Sequence, residues 1–380
     1  MKRWVLHSSI FLMIFGLLFA TVSSAIPCTA FALRDGRKIV VGKNLDWPVG
    51  EGFVVVNKRN ISKTALVDSS DTPLKWISKY GSITFNQFGL EFPLGGMNEA
   101  GLVIEELSSP LSVYPPPDGR PVVNEFQWIQ YHLDRHASVK ELLESDEQIR
   151  VSRQWFDLHY LVYDRSGHVA VVEFLDGKYT AYTADDVPVE VLSNNTYAES
   201  IRYLKLHQGY GGGHPIRYGT GSTQRFLLAA SLIDNYSAEL LGQAVEYAFT
   251  ILDSVRQHDT QWRIVYDIQR RMIHWKRKGR DQILHIDINR FNYNCAEPPQ
   301  VFEIFSSLQM PVKEYSINSV FIPHTAELNR KLLRSVFGKL RESEGTEMFP
   351  LESFPDRLTV YLETLKCLSG IKEEKTKVRR

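Results

Sequence analysis

A single cysteine set a few residues behind an apolar leader constrains this chain more than any other feature. Lys2 and Arg3 form a basic start, Ile10 to Val22 is nearly all apolar, and Ser23-Ser24-Ala25 offers the small residues a signal peptidase cuts behind. The apolar stretch is shorter than the roughly 20 residues that span a bilayer comfortably. Residues 1–25 therefore read as a cleaved export signal, and signal peptidase is the first partner this implies. Ile26-Pro27 remains as a residual propeptide ahead of Cys28-Thr29-Ala30-Phe31. Pro27 is a poor residue to cut behind, so exposing Cys28 requires a second trimming, by the chain itself or by another enzyme. A chain trimmed to Cys28 opens a β-strand with a thiol and a free amine on the same residue.

The segments that follow arrive as hairpins. Thr29 to Leu33 runs to a turn at Asp35-Gly36, and Lys38 to Val41 resumes the apolar pattern before Lys43-Asn44-Leu45-Asp46-Trp47. Lys43 and Asp46 should then return beside Cys28. Gly52 to Asn57, Ser82 to Asn86 and Gly101 to Leu107 read as strands, with 95–101 as the turn before the last. From Asn124 the apolar period becomes helical, and Ser138 caps a second short helix. Leu161 to Tyr163, Val169 to Phe174 and Tyr179 to Tyr182 form another antiparallel block. Helices are expected from Tyr197, over Arg225 to Ile233, and over Ala238 to Leu252 with Ser237 as cap. Strands at Trp262 to Tyr266, Met272 to Trp275 and Ile283 to Ile288 precede a helix over Ala326 to Leu340. Strands that come in hairpins, separated by helical runs, are buried better by two antiparallel sheets between helical layers than by a doubly wound parallel sheet. No linker breaks the chain, so 28–368 reads as one domain, followed by a charged tail at 369–380.

Charge and cysteine usage narrow the function. The chain has 44 basic and 44 acidic residues, and removing the leader takes away Lys2 and Arg3, for a formal charge of −2. No clustered basic field is left to hold nucleic acid or an anionic membrane. Three cysteines are an odd count for an exported protein. Cys295 and Cys367 either pair and leave Cys28 free for chemistry, or stand reduced and buried. No His-Glu-x-x-His or Cys-x-x-Cys pattern is present, so no metal or cofactor is expected.

At these residues the chain resembles the choloylglycine hydrolase and penicillin V acylase family, linear-amide hydrolases of the N-terminal nucleophile superfamily, from Cys28 to about Ile288. Its members similarly open their mature form with Cys-Thr, follow it with a basic-x-x-Asp element, and contain the motif that stands here as Gly96-Met97-Asn98-Glu99-Ala100-Gly101-Leu102. The resemblance implies an α+β, four-layer αββα fold and an assembly of several copies, a tetramer in the family. It assigns Cys28 as nucleophile, Asp46 as the carboxylate near its amine, Asn194 as oxyanion donor and Arg225 as the site's second arginine. Lys43 stands where the family has its first arginine, and Ser108 where some members have a further asparagine. Asp46-Trp47 is similar to the exported acylases of Gram-negative bacteria, which makes Trp47 a candidate substrate contact and the periplasm or the exterior the expected location.

The residues suit that chemistry. A thiol near 8.5 and an α-amine near 7.7 to 8.0 both exchange protons around neutrality, so a freed Cys28 amine can take the thiol proton without a histidine. Asp46 would hold the resulting ammonium, Lys43 or Arg225 would favour the thiolate, and Asn194 would meet the charge that collects on the carbonyl oxygen. The expected substrate is a small N-acyl amide with an apolar or aromatic acyl group, aromatic or fatty rather than a conjugated bile salt. Trp47, Phe85, Phe88, Phe92, Trp76 and Trp128 supply aromatic surface for a pocket or for the core. Lys43 lacks arginine's two-pronged donor, which leaves open an exported binding protein that kept the pocket and lost catalysis. An envelope protein held by the apolar run is the third reading.

Overall fold

The Asp35-Gly36 turn sets the architecture. In the computed structural model, which describes residues 27–237, 240, 242–305, 316–344 and 354–368, strands Thr29–Asp35 and Lys38–Asp46 pair antiparallel, from Thr29 with Asn44 to Asp35 with Lys38. Gly36 takes φ +62°, a left-handed angle open to glycine at little cost. This register returns Leu45 and Asp46 to the level of Cys28, one residue ahead of the strand. The segment expected to be an export signal, Ile26 and the tail at 369–380 lie outside the described residues.

The hairpin sits inside a six-stranded sheet ordered Val191–Leu192, Thr29–Asp35, Lys38–Asp46, Thr260–Asp267, Met272–Arg277, Arg280–Asp287. A nine-stranded sheet runs Lys178–Thr183, Val169–Leu175, Leu158–Tyr163, Val103–Ser108, Pro93–Asn98, Ser82–Asn86, Phe53–Asn57, Gln300–Glu303, Ile322–Pro323. All strand pairings within both sheets are antiparallel. Helices Ser222–Asp234 and Ala244–Ser254 cover the smaller sheet, and Glu125–Arg135 covers the larger. The expected layering of helices, sheet, sheet and helices is the one observed.

Aromatic side chains hold the sheets together. Phe85 of the larger sheet stands 6.0 Å from Trp262 and 6.0 Å from Trp275 of the smaller one, ring centre to ring centre. All three are buried. Burying rings of this size contributes roughly 4 to 6 kcal/mol each before conformational entropy is counted. Phe85, Trp76 and Trp128 are thus core residues. The Trp76 and Trp128 indole N–H groups donate to Asp134 and Asp146.

The Ser138 cap is where the sequence places it, and the helix expected from Asn124 is capped by Asn124 itself. Asn124 Oδ1 accepts from the N–H groups of Phe126 and Gln127, and Ser138 Oγ from that of Glu141. Two expectations need correction. Gly95, Gly96 and Met97 are not in a turn but in strand Pro93–Asn98; the turn is confined to Glu99–Gly101, with Asn98 Oδ1 accepting from Ala100 and Leu102 N–H. A Cβ at Gly95 or Gly96 would run into Glu105 or the Ile83 carbonyl, so these glycines serve close packing across strands. The helix expected from Ala238 opens at Ala244, because Gly242 takes φ +90° and ends the approach in a non-helical turn. Residues 238, 239 and 241 lie outside the described residues.

A small third sheet, Lys366–Cys367 with Ile61–Thr64 and Lys75–Ile77, was not apparent in the sequence. Cys295 and Cys367 form a disulfide across 72 residues, which anchors its edge strand. Cys28 is the free cysteine, and it is buried.

Candidate active site

Strand ends and one helix start converge on Cys28. Its main-chain nitrogen donates to Asn194 Oδ1 at 3.0 Å. Asn194 follows the edge strand Val191–Leu192, which pairs with Ala30 and Phe31, so the sheet itself brings the asparagine to the start of the chain. Ser222 Oγ, at the first turn of helix Ser222–Asp234, accepts from the N–H groups of Asn194 and Asn195 and fixes that corner. Arg225 is one turn further along the helix and almost wholly buried. It donates to Cys28 O and Thr29 Oγ1, to Asn194 Oδ1 at 2.7 Å and to Thr220 O at 3.1 Å. The second amide group of Asn194, Nδ2, donates to Ser108 O at 2.9 Å.

Asp46 is fully buried at the end of the neighbouring strand. Thr260 Oγ1 donates to its Oδ1, while its Oδ2 has no hydrogen-bond partner among the described residues. Burial raises its carboxyl from 3.8 to about 7 against the Thr260 hydrogen bond and the Arg225 charge, with Asp259 adding to the rise. Its main-chain N–H is directed at the Cys28 sulfur. The thiol is pushed up to about 12, first by burial and then by Glu106 and Asp46, with Lys43 acting in the opposite sense. A thiol in that state is almost wholly protonated at neutral pH, so it needs a new positive charge nearby before it can attack.

Lys43 faces the space between the sheets at 1% exposure. Its ammonium is 3.4 Å from Glu105 Oε2 and 3.5 Å from Glu106 Oε1, and it donates to the Glu106 carbonyl. These carboxylates hold it charged against the strong opposing effect of burial. Glu105 also accepts from the Tyr266 hydroxyl. Neither acid was singled out from the sequence. The available signal was two consecutive acids inside the otherwise apolar run Val103-Ile104-Glu105-Glu106-Leu107, opposite a lysine standing where arginine is expected.

Beside the sulfur is a cavity of about 30 Å³ lined by Cys28, Leu45, Trp47, Gln87, Phe88, Leu94, Glu106, Ser108, Phe126, Phe156 and Leu158. Its walls close on one another: Phe88 stands 5.1 Å from Phe126 and 5.5 Å from Phe156, and Trp47 meets Phe156 edge-on at 6.1 Å. Trp47 and Ser108 therefore lie at the pocket as expected. Of the other aromatics considered, Phe88 also lines it. Phe92 packs on Trp155 and Tyr361 instead. Phe126 and Phe156 were not singled out. Phe156 is held there by Glu125, whose carboxylate accepts from the N–H groups of Gln154, Trp155 and Phe156 at 2.7 to 2.9 Å.

Known proteins resemble this chain in sequence and fold. A profile of the linear amide C–N hydrolases, choloylglycine hydrolase family, matches residues 28–215, starting at the cysteine. Penicillin V acylase of Pectobacterium atrosepticum is 23% identical, over 73% of this chain and 85% of the relative. Penicillin V acylase from Agrobacterium tumefaciens superposes with a TM-score of 0.67 at 23% identity, over 78% of this chain and 98% of that one. Conjugated bile acid hydrolase from Clostridium perfringens does so with a TM-score of 0.60 at 19% identity, over 76% and 100%. The N-terminal nucleophile hydrolase fold is common to all of them. With its match beginning at Cys28 and its two sheets stacked in the same way, this chain belongs to the choloylglycine hydrolase family of linear amide C–N hydrolases.

Proposed function

We propose that this protein is an exported amidase that cleaves N-acyl amides with an apolar or aromatic acyl group, using Cys28 as nucleophile once Pro27 has been removed. The observation that carries this reading is the pairing of the Cys28 nitrogen with Asn194 Oδ1, beside a buried Asp46 oxygen that lacks a partner. While Pro27 is attached, that nitrogen is an amide and cannot act as a base. Once freed, it is an amine held by Asn194 Oδ1 and able to take the thiol proton. The ammonium formed satisfies Asp46, and its charge counters the burial that keeps the sulfur protonated. The thiolate attacks the amide carbon, and negative charge moves onto the oxygen. Asn194 Nδ2, which donates to Ser108 O at 2.9 Å, is the side-chain donor we assign to the oxyanion. The ammonium gives its proton to the leaving amine, and water, deprotonated by the same amine, releases the acid from the thioester.

The acyl pocket has room only for a small group until Phe88 or Phe156 swings aside. Its walls are apolar, which favours acyl groups that lose little on leaving water. The penicillin V acylases among its relatives support this substrate class. The basic, apolar and small-residue segments of the leader support export, and the Cys295–Cys367 disulfide supports an oxidising compartment. The test is to quench the enzyme during turnover of a phenoxyacetyl or fatty-acyl amide and weigh the peptide that starts at Cys28. A mass increase equal to the acyl group minus one hydrogen supports the thioester. Steady turnover by Cys28→Ala would rule it out.

A further inference from the structure

Besides Trp47, whose indole N–H has no partner among the described residues, four residues with polar side chains line the cavity beside the nucleophile: Cys28, Gln87, Glu106 and Ser108. Gln87 is already engaged, since its Nε2 donates to the carbonyls of Val49 and Glu51. Glu106 is different. Its carboxylate is 5% exposed, and its recorded partner among the described residues is the Lys43 ammonium at 3.5 Å, an ion pair too long to count as a strong hydrogen bond. A carboxylate offers about four acceptor sites, and those that Lys43 does not engage are open to a donor in the pocket.

Lys43 is shared by two acids, of which Glu106 does more to hold it charged. Glu105 lies 3.4 Å from the same ammonium. It is fixed by the Tyr266 hydroxyl and by a niche that exists because residue 95 is glycine, where any Cβ would strike the Glu105 carboxylate. The site thus contains Lys43 and Glu105 behind and a second acid in front, on the wall of the pocket.

We infer that Glu106 is a specificity-determining residue that accepts a hydrogen bond from a hydroxyl on the acyl group, two or three carbons from the thiol-bound carbonyl. This rests on the amidase reading above. The position follows from Glu106 and Cys28 sharing one cavity of about 30 Å³, which allows only a few bonds between the reacting carbon and the donor. Lys43, close behind, would repel an ammonium donor, while Glu106 would repel a ketone or carboxylate oxygen. A hydroxyl donates to Glu106 without carrying a charge that Lys43 would repel.

The test uses amides of one amine carrying a 3-hydroxyacyl, a 3-oxoacyl or an unsubstituted acyl chain of equal length. Mature enzyme should show kcat/KM for the hydroxyacyl amide roughly tenfold or more above the unsubstituted one, as expected for a hydrogen bond to a buried charge, and the oxoacyl amide should be the poorest. Glu106→Gln replaces an acceptor by a group that also donates, so it should reduce the hydroxyacyl preference to within about threefold and raise the oxoacyl amide relative to the others. A merely structural residue would not reorder the three. Glu106→Asp, which withdraws the carboxylate by one methylene, should give an intermediate ratio. Dissociation constants of the three amides for Cys28→Ala protein read the same preference without turnover. Equal kcat/KM values for the hydroxyacyl and unsubstituted amides in the unmodified enzyme, or a ratio unchanged by Glu106→Gln, would overturn the inference and leave the amidase reading standing. No hydrolysis of any amide, with the binding preference intact, would count against the amidase reading alone.

Discussion

The main-chain nitrogen of Cys28 and the side-chain oxygen of Asn194 meet at 3.0 Å, although 166 residues separate them in the chain. Arg225 shares the same oxygen at 2.7 Å. One carbonyl of one asparagine thus aligns the nitrogen proposed as base and the guanidinium that braces it. Truncating Asn194 removes that acceptor and a donor candidate for the oxyanion together.

Asn194→Ala should therefore lower kcat by about a hundredfold to a thousandfold, the range seen when an oxyanion donor is lost. Steady-state rates on a good acyl amide check this. A fall confined to KM would mean that Asn194 only shapes the binding site.

Glu105 makes a pH signature. Burial, opposed by Lys43 and by the Tyr266 hydrogen bond and reinforced by Glu106, raises its carboxyl from 4.5 to about 7. A carboxyl whose folded value is raised adds stability that is fully present below about pH 4.5 and lost as the pH rises through about 7. Relative to Glu105→Gln, the unmodified protein should lose on the order of 3 kcal/mol between those limits. Denaturant unfolding of both proteins at a series of pH values reads the difference. Parallel curves would show that Glu105 ionises at its ordinary value.

Glu125→Ala removes a buried acceptor from three consecutive main-chain donors, those of Gln154, Trp155 and Phe156. Each orphaned buried donor costs about 1–3 kcal/mol, so a loss of about 3 kcal/mol or more is expected. Because Phe156 lines the pocket, KM for acyl amides should rise in the same variant. Chemical denaturation and kinetics on one preparation test both effects.

Replacing Cys295 and Cys367 together by serine should lower stability by about 2–4 kcal/mol, given the 72-residue separation that the disulfide closes. The site lies elsewhere in the fold, so kcat should change much less than the unfolding midpoint. A large fall in kcat with an unchanged midpoint would reverse that expectation.

Much of this was legible along the chain because short hairpins fix register. Asp35-Gly36 returns Asp46 to the level of Cys28, and Ser138 marks its helix by side-chain capping. The glycines at 95 and 96 were misread as a turn, since what they avoid is contact with neighbouring strands rather than a forbidden angle. Glu105 and Glu106 were missed for a related reason. Alternation assigns one of two adjacent strand residues to solvent, but strand Val103–Ser108 is covered on both faces, and both acids are buried. Whether Cys295 and Cys367 pair depends on a distance that sequence does not contain; it is 5.5 Å between Cα atoms.

The freed nitrogen of Cys28 is the centre of the proposed chemistry, and intact mass with N-terminal sequencing of fully active, purified protein tests it most directly. The expected chain begins at Cys28, and any fraction retaining Pro27 should be inactive in proportion. Full activity from a homogeneous preparation that still carries Ile26-Pro27 would contradict the role of that nitrogen as base.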